Sequence, residues 1–153
     1  MSSKLGPAMV LLLLLSACSG SPPPNLGVRD GQLSSCPSKP NCVSSQAADA
    51  DHFVAPLSFP VHAEVAQRAL LEVLPQMEGA KVVTNEAFYT RAEFTSKTMK
   101  YVDDVEFVVD PLSNIIHLRS ASRLGYSDMG ANRRRVEDIR ARLAKALEPV
   151  TRG

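Results

Sequence analysis

Apolar and polar residues alternate in four stretches in the second half of the chain, and this period of two predicts β-strands. The stretches are Ala80 to Thr84, Phe88 to Thr95, Tyr101 to Asp110 and Ile115 to Ser122. The turn-forming residues DPLSN, 110–114, separate the last two stretches, so we expect an antiparallel hairpin there. A shorter strand is predicted at Phe53 to Leu57, which Pro56 interrupts.

Two other stretches repeat apolar residues every three or four positions, which predicts amphipathic helices. The first begins at Val61 and ends at Pro75, and the second runs from near Met129 to Leu147, where Ser127 or Asp128 can cap it. The predicted fold is therefore α+β: a short strand, a helix, a four-stranded antiparallel meander and a C-terminal helix. This helix-grip arrangement is similar to the TATA-binding-protein fold, but a fold does not imply a function and predicts no DNA binding.

Alternation also sorts the side chains of the predicted sheet onto two faces. With a four-residue loop at 111–114, Phe107 lies opposite Leu118 on an apolar face that should pack beneath the helices. Glu106 lies opposite Arg119 on the other face. This polar face also carries Arg91, Glu93, Asp104 and His117.

The polar face supports three interpretations. It is a solvated ladder of cross-strand ion pairs, a surface for a ligand or partner, or a catalytic site in which Asp104, Glu106 and His117 transfer protons. We favour the ladder, because acid–base catalysis needs a concave, partly dry setting that an open sheet rarely offers.

The stretch RSASRLGYSDMGANRRRVE, residues 119–137, joins the last strand to the last helix and carries a candidate anion site. The candidate ligand-binding residues are Arg119, Ser120, Ser122, Arg123, Ser127, Asp128 and Asn132. A closed structural junction fits the same stretch, with Asp103, Asp128 and Arg123 paired internally, since Asp128 at the helix start would repel an anion. The run Arg133 to Arg135 is predicted to be solvated helix charge.

The chain opens with MSSKLGPAMVLLLLLSAC, which predicts a lipoprotein signal peptide over residues 1–17. Leu15-Ser16-Ala17-Cys18 matches the lipobox of bacterial lipoproteins, in which Cys18 becomes the lipidated N-terminus. An ordinary cleaved signal with a chance cysteine, or an uncleaved anchor, are the alternatives. Because Ser19 is not a retention aspartate, we expect a periplasm-facing protein in a Gram-negative envelope, at the outer membrane rather than the inner one.

The rest of the chain divides by composition. Residues 18–35 are rich in Ser, Gly and Pro and predict a flexible tether, residues 36–148 a single domain, and residues 149–153 a tail. Cys36 and Cys42 form an even pair once Cys18 is acylated, and we expect a disulfide between them in an oxidising envelope. We expect no metal and no cofactor, since the histidines are isolated and no C-x-x-C spacing occurs.

Charge and composition narrow the partners. The formal net charge of +1 provides no field for nucleic acid, and aromatic residues make up only 5% of the chain, with no Trp to stack on sugars. The expected partners are the membrane, through the lipid anchor, and a small anionic or lipid-like ligand or an envelope protein.

Three motifs resemble the bacterial and plastid proteins of domain-of-unknown-function family 1499. They are CPSKPNCVSS (36–45), YVDDVEF (101–107) and HLRSASRLGYSDMGANRRRVE (117–137), within a resemblance that covers Cys36 to Leu147. The one small departure is Met129-Gly130-Ala131, where members often have Leu-Gly-Val. The resemblance implies no activity, since the family has none established, but some members look like lipoproteins and others carry membrane segments.

The leading hypothesis is a non-enzymatic envelope lipoprotein that binds its ligand or partner through Arg119, Ser122, Arg123 and the turn to Asp128. A hydrolase using Asp104, Glu106 and His117 is the alternative, and a purely structural envelope protein is a third. Enzymatic activity is left open at this point.

Overall fold

The alternating stretches build one six-stranded antiparallel sheet. The computed structural model describes residues 20–151, so the predicted signal peptide and the predicted lipidation site, Cys18, lie outside the described residues. The strands are β1 (Cys42–Ser44), β2 (Leu57–Ser58), β3 (Ala80–Glu86), β4 (Tyr89–Thr95), β5 (Val102–Asp110) and β6 (Ile115–Ser122). Their order is β1-β6-β5-β4-β3, and β2 also pairs with β6.

Two helices cover one face of this sheet, which confirms the predicted α+β arrangement. Helix α1 is Ala63–Val73 and continues into a 3-10 turn at Leu74–Gln76, and helix α2 is Ala131–Thr151. The apolar face of the hairpin, with Phe107 and Leu118, is fully buried against them. Each such side chain contributes about 1.5–3 kcal/mol to the stability of the fold. None of the helices in residues 20–151 is long and apolar enough to cross a bilayer.

The register of the β5–β6 hairpin confirms the prediction from alternation. Glu106 pairs with Arg119, and Phe107 pairs with Leu118. The strand predicted at Phe53 to Leu57 is shorter in the structure, because Pro56 has no N–H to donate and Phe53 forms only an isolated bridge with Ser44. The short β1 was not predicted, since it has only three residues.

The face of the sheet away from the helices is covered by residues 20–35, the N-terminal segment. Leu33 is buried in a small apolar cluster with Tyr89 and Val108. The Gly27 N–H donates to Oε1 of Glu106 at 2.7 Å, and the Leu33 N–H donates to the side chain of Gln46. These residues belong to the predicted flexible tether, whose composition cannot fold alone, but here the sheet supplies their partners.

Asp103 lies on the helix face, opposite Ser122, as alternation predicts. Its partner is Arg135, whose Nη2 lies 2.6 Å from Oδ2 of Asp103 and whose guanidinium lies over the Phe94 ring. The pairing of Asp103 with Arg123, which belonged to the closed-junction alternative, is therefore wrong, because Arg123 lies on the opposite face. The prediction of solvated charge is also wrong for Arg135, which is half-buried in this contact.

Arg133 and Arg134, which precede Arg135 in the chain, are exposed, yet both are hydrogen-bonded. Arg133 donates to the backbone carbonyls of Phe53 and Asp51, and Arg134 donates to that of Met129. The run at 133–135 therefore fastens the start of α2 to the neighbouring loops.

The turn before β3 generates a stability prediction at Gly79. Both Gly79 and Gly31 have positive φ, +74° and +75°, but a Cβ at Gly79 would lie 2.2 Å from the Thr95 carbonyl oxygen, whereas Gly31 has open space. The Gly31→Ala variant should lose about 1 kcal/mol, the cost of the left-handed conformation alone. Gly79→Ala should lose at least about 3 kcal/mol, because backbone must also move.

Urea unfolding of the two purified variants beside the wild type measures these losses. Equal destabilisation by the two substitutions would show that Gly79 is required only for its φ angle and would contradict the close approach to Thr95.

Candidate functional site

The polar face of the sheet is buried. Asp104, Glu106 and Arg119 are 1%, 0% and 4% exposed. The favoured interpretation of this face as a solvated ladder is therefore wrong, because the N-terminal segment lies over it. Ion pairs at such depth are much less screened by water than exposed pairs.

Glu106 lies on β5, the central strand, and accepts hydrogen bonds from three directions. Gly27 N–H lies 2.7 Å and the Tyr89 hydroxyl 3.0 Å from Oε1, while Nη1 of Arg119 lies 3.4 Å from Oε2. Burial and the neighbouring Glu106 charge raise the pKa of Tyr89. The phenol therefore remains a donor to the carboxylate at any physiological pH.

Asp104, two residues earlier on β5, is held by two arginines. Arg123 contacts it through Nε at 2.7 Å and Nη2 at 2.9 Å, and Arg91 lies 2.7 Å from Oδ1. Both arginines also contact Glu93. The hydrogen bond with Asp104 raises the pKa of Arg123, despite its burial. This cluster is closed on itself, and Arg123 has no spare charge for an external anion.

A pocket of about 370 Å³ lies between the N-terminal segment and this face. Its lining residues are Ser21, Pro23, Asn25, Ser35, Cys36, Pro37, Asp104, Arg119, Ala121, Ser122 and Arg123. The predicted disulfide is confirmed at one wall, where Cys36 and Cys42 have an S–S distance of 2.05 Å. The bond fixes the loop before β1 next to the pocket.

Arg119 is the unusual member of the lining. It is almost completely buried, yet its Nε has no hydrogen-bond partner, and its one described hydrogen bond, to Glu106, is long at 3.4 Å. A guanidinium has five N–H donors, and leaving one buried without an acceptor costs about 1–3 kcal/mol. An acceptor in the pocket would recover part of this cost.

Other residues of the candidate anion loop lie on the helix side. Asn132 is buried, accepts from the Ser120 hydroxyl, and donates to the hydroxyl of Ser122 and to Oδ2 of Asp128. This part of the loop is closed by internal hydrogen bonds, but Asp128 pairs with Asn132 and not with the predicted Asp103 or Arg123. Ser127 is exposed, and its hydroxyl accepts a hydrogen bond from the Met129 N–H.

The three residues of the hydrolase hypothesis do not share one cavity. Asp104 lines the pocket, but Glu106 and His117 are not among its lining residues. His117 instead has its Nδ1 3.1 Å from the Ser45 hydroxyl. No group of three or more potential metal ligands is found among the described histidines, cysteines and acids.

Two contacts of the polar face, those of Tyr89 and Gly27 with Glu106, were not predicted from the sequence. Tyr89 is in phase with Arg91 on β4, so alternation could have placed it on the polar face. Gly27 gave no signal, because its role depends on where the N-terminal segment lies.

Asp128 generates a test of the structural junction. Burial opposes its ionisation, but hydrogen bonds from the N–H groups of Asn132 and Gly130 outweigh burial and lower its pKa from 3.8. Asp128→Ala should therefore lose about 1 kcal/mol of stability, the usual cost of a lost helix cap. The matched control Ser127→Ala should stay within about 0.5 kcal/mol of the wild type.

This difference depends on pH in a defined direction. Because the folded-state pKa of Asp128 is lowered, its contribution is present above pH 3.8 and fades as the pH falls through the folded-state pKa. Urea unfolding of the wild type and Asp128→Ala at neutral and at acidic pH measures this contribution. An equal loss of stability at the two pH values would contradict a capping role for the ionised Asp128.

Comparison with known proteins gives one family. No curated protein and no solved structure matches the chain. The family described as "Protein of unknown function (DUF1499)" matches residues 32–143, well over half of the 153 residues, and the match begins within the N-terminal segment that covers the polar face. The chain therefore belongs to the DUF1499 family.

Proposed function

We propose that this protein is an envelope lipoprotein whose domain binds a small anionic ligand, with a carboxylate or phosphate group, in the pocket above Arg119. The ligand group would accept hydrogen bonds from the Arg119 guanidinium, whose shielded Nε a small shift of the side chain would turn toward the pocket. The N-terminal segment would form the opposite wall.

The observation that carries this proposal is the unmet donor capacity of Arg119. Its Nε lies buried without a partner at a residue that lines an accessible pocket. Planar carboxylate and phosphate groups match the fork of a guanidinium in two parallel hydrogen bonds. Ligands of this class satisfy the donors better than a neutral acceptor does.

The electrostatics and the size of the pocket limit the ligand further. Asp104 also lines the pocket, but Arg91 and Arg123 neutralise its charge. The volume of about 370 Å³ lies at the lower end of the range of about 300–1,000 Å³ for small-molecule sites. The pocket therefore fits a small acid or a phosphorylated head group.

The envelope part of the proposal is supported by two features of the chain. The lipobox ends at Cys18, and the other two cysteines, Cys36 and Cys42, are joined in a disulfide, which persists in oxidising compartments. Attachment by acyl chains on Cys18 would hold the protein at the periplasmic side of a Gram-negative membrane. The outer membrane is favoured because the residue after Cys18 is Ser19 and not a retention aspartate. The hydrolase alternative has less support, because its three residues do not meet in the pocket.

Binding is tested with inorganic phosphate and succinate as probes. Isothermal titration should detect binding of at least one of them to the wild type. Arg119→Lys should weaken that binding about tenfold, or about 1.4 kcal/mol, because lysine keeps the charge beside Glu106 but lacks the fork. The matched control Arg142→Lys, on the exposed side of α2, should bind as the wild type does.

Circular dichroism of each variant checks that it is folded. The proposal is contradicted if a folded wild type binds neither probe, or if Arg119→Lys binds with unchanged affinity. A second variant, Ala121→Leu, fills the pocket without removing a charge and should weaken binding more than Arg119→Lys does, whereas unchanged binding would contradict this pocket as the site.

A further inference from the structure

Exposed apolar side chains gather at one end of the sheet. Eight large hydrophobic residues are exposed within the described part of the chain, and five of them lie in two loops. These five, the loop patch, are Met99, Tyr101, Leu124, Tyr126 and Met129. Tyr126 and Met129 are 68% and 87% exposed. Apolar residues concentrated in this way mark an interaction surface, whereas single exposed ones do not.

The two loops are neighbours. One joins β4 to β5, the other joins β6 to α2, and antiparallel pairing brings both to the same end of the sheet. The Arg123 N–H donates to the Val102 carbonyl, which links the base of one loop to the base of the other. The side chain of Asn41, in the loop that the disulfide closes, donates to the Gly125 carbonyl and so holds the β6–α2 loop. The patch is therefore supported by the fold.

The chain enters the folded part at this same end. Arg123 Nη1 donates to the Gly20 carbonyl at 3.2 Å, and a Cβ at Gly20 would lie 3.3 Å from Cγ of Leu124, a member of the loop patch. Cys18 is two residues earlier, so its Cα is at most about 7 Å from that of Gly20. Acyl chains on Cys18 would therefore start beside the loop patch.

We propose that the loop patch docks on the lipid bilayer to which Cys18 is anchored, and that the domain sits directly on the membrane surface. This inference rests on the lipid anchor of the proposed function. The occupant of the patch is the bilayer and not a second copy of the chain, because the anchor, two residues before Gly20, would hold lipid within roughly 12 Å of Leu124 at a very high effective concentration.

The chemistry of the patch fits the boundary between head groups and acyl chains. Tyrosine places its ring in the apolar layer and its hydroxyl among the head groups, and Met and Leu supply flexible apolar bulk. Lys97 and Lys100 are exposed in the same β4–β5 loop and can reach anionic phosphates. One acid, Glu78, contacts Lys97 at 3.6 Å, and both side chains are exposed.

Insertion is measured by fluorescence, since the natural chain has no Trp. The full chain with Tyr126→Trp, processed in a Gram-negative host, is reconstituted into vesicles of phosphatidylethanolamine and phosphatidylglycerol. Some of these lipids carry bromine near the carbonyl end of the acyl chains, roughly 5–10 Å below the surface, where interfacial residues insert. The matched control is Leu112→Trp, at a residue that is 94% exposed in the turn at the opposite end of the sheet.

The Tyr126→Trp emission should shift to the blue in vesicles and be quenched by the brominated lipids, while Leu112→Trp should show neither effect. Met129→Trp repeats the test if the first variant does not fold. Equal behaviour of patch and control variants overturns the inference, as does a blue shift without bromine quenching, which would show that protein covers the patch.

Mass spectrometry of the same preparations separates this inference from the anchor. If Cys18 carries acyl groups but the brominated lipids do not quench the Tyr126→Trp emission, docking is overturned and the lipoprotein proposal stands. Absence of acylation would overturn the anchor itself, and the docking inference with it.

Discussion

The structure depends on the neutralisation of two carboxylates, Asp104 and Glu106, on the central strand of the sheet. An unpaired buried carboxylate costs several kcal/mol, so each needs charged or polar donors at close range. Arginines on β4, on β6 and just after β6 meet them from both sides, and the Tyr89 hydroxyl and the Gly27 N–H complete the shell of Glu106. A face that would be solvated in an ordinary sheet becomes a second, polar interior.

This second interior explains the arrangement of the rest. A polar interior needs a cover, and the N-terminal segment provides one with a backbone N–H at Gly27 and an apolar contact at Leu33. The cover is incomplete next to the disulfide, and the pocket above Arg119 lies there. Because Arg123 Nη1 donates to the Gly20 carbonyl, the same cluster that stabilises the face also fixes where the N-terminal segment begins at the end of the sheet. The pocket, the cover and the start of the N-terminal segment are thus linked through one set of ion pairs.

The sheet could be predicted from the sequence, and the cover could not. Alternation placed Glu106 opposite Arg119 because the side-chain period of a strand is fixed at two and a short turn fixes the register. The N-terminal segment has the composition of a linker, and its order comes from partners outside the segment, some of them far along the chain, such as Glu106 for Gly27. Likewise, the sequence predicted that Asp103 needs an internal partner, but the choice of Arg135 depends on how α2 packs over β4.

The most direct test of this account is amide hydrogen exchange at Gly27 in the folded protein. A hydrogen bond to a charged group contributes about 1.5–3 kcal/mol, so the Gly27 amide should exchange about ten- to a hundredfold more slowly than in an unstructured peptide. The neighbouring Val28 N–H, which donates to no described residue, should be less protected, and Glu106→Gln should reduce the difference. A Gly27 amide that exchanges as fast as that of Val28 would show that the segment is a free tether and would contradict the buried polar interior.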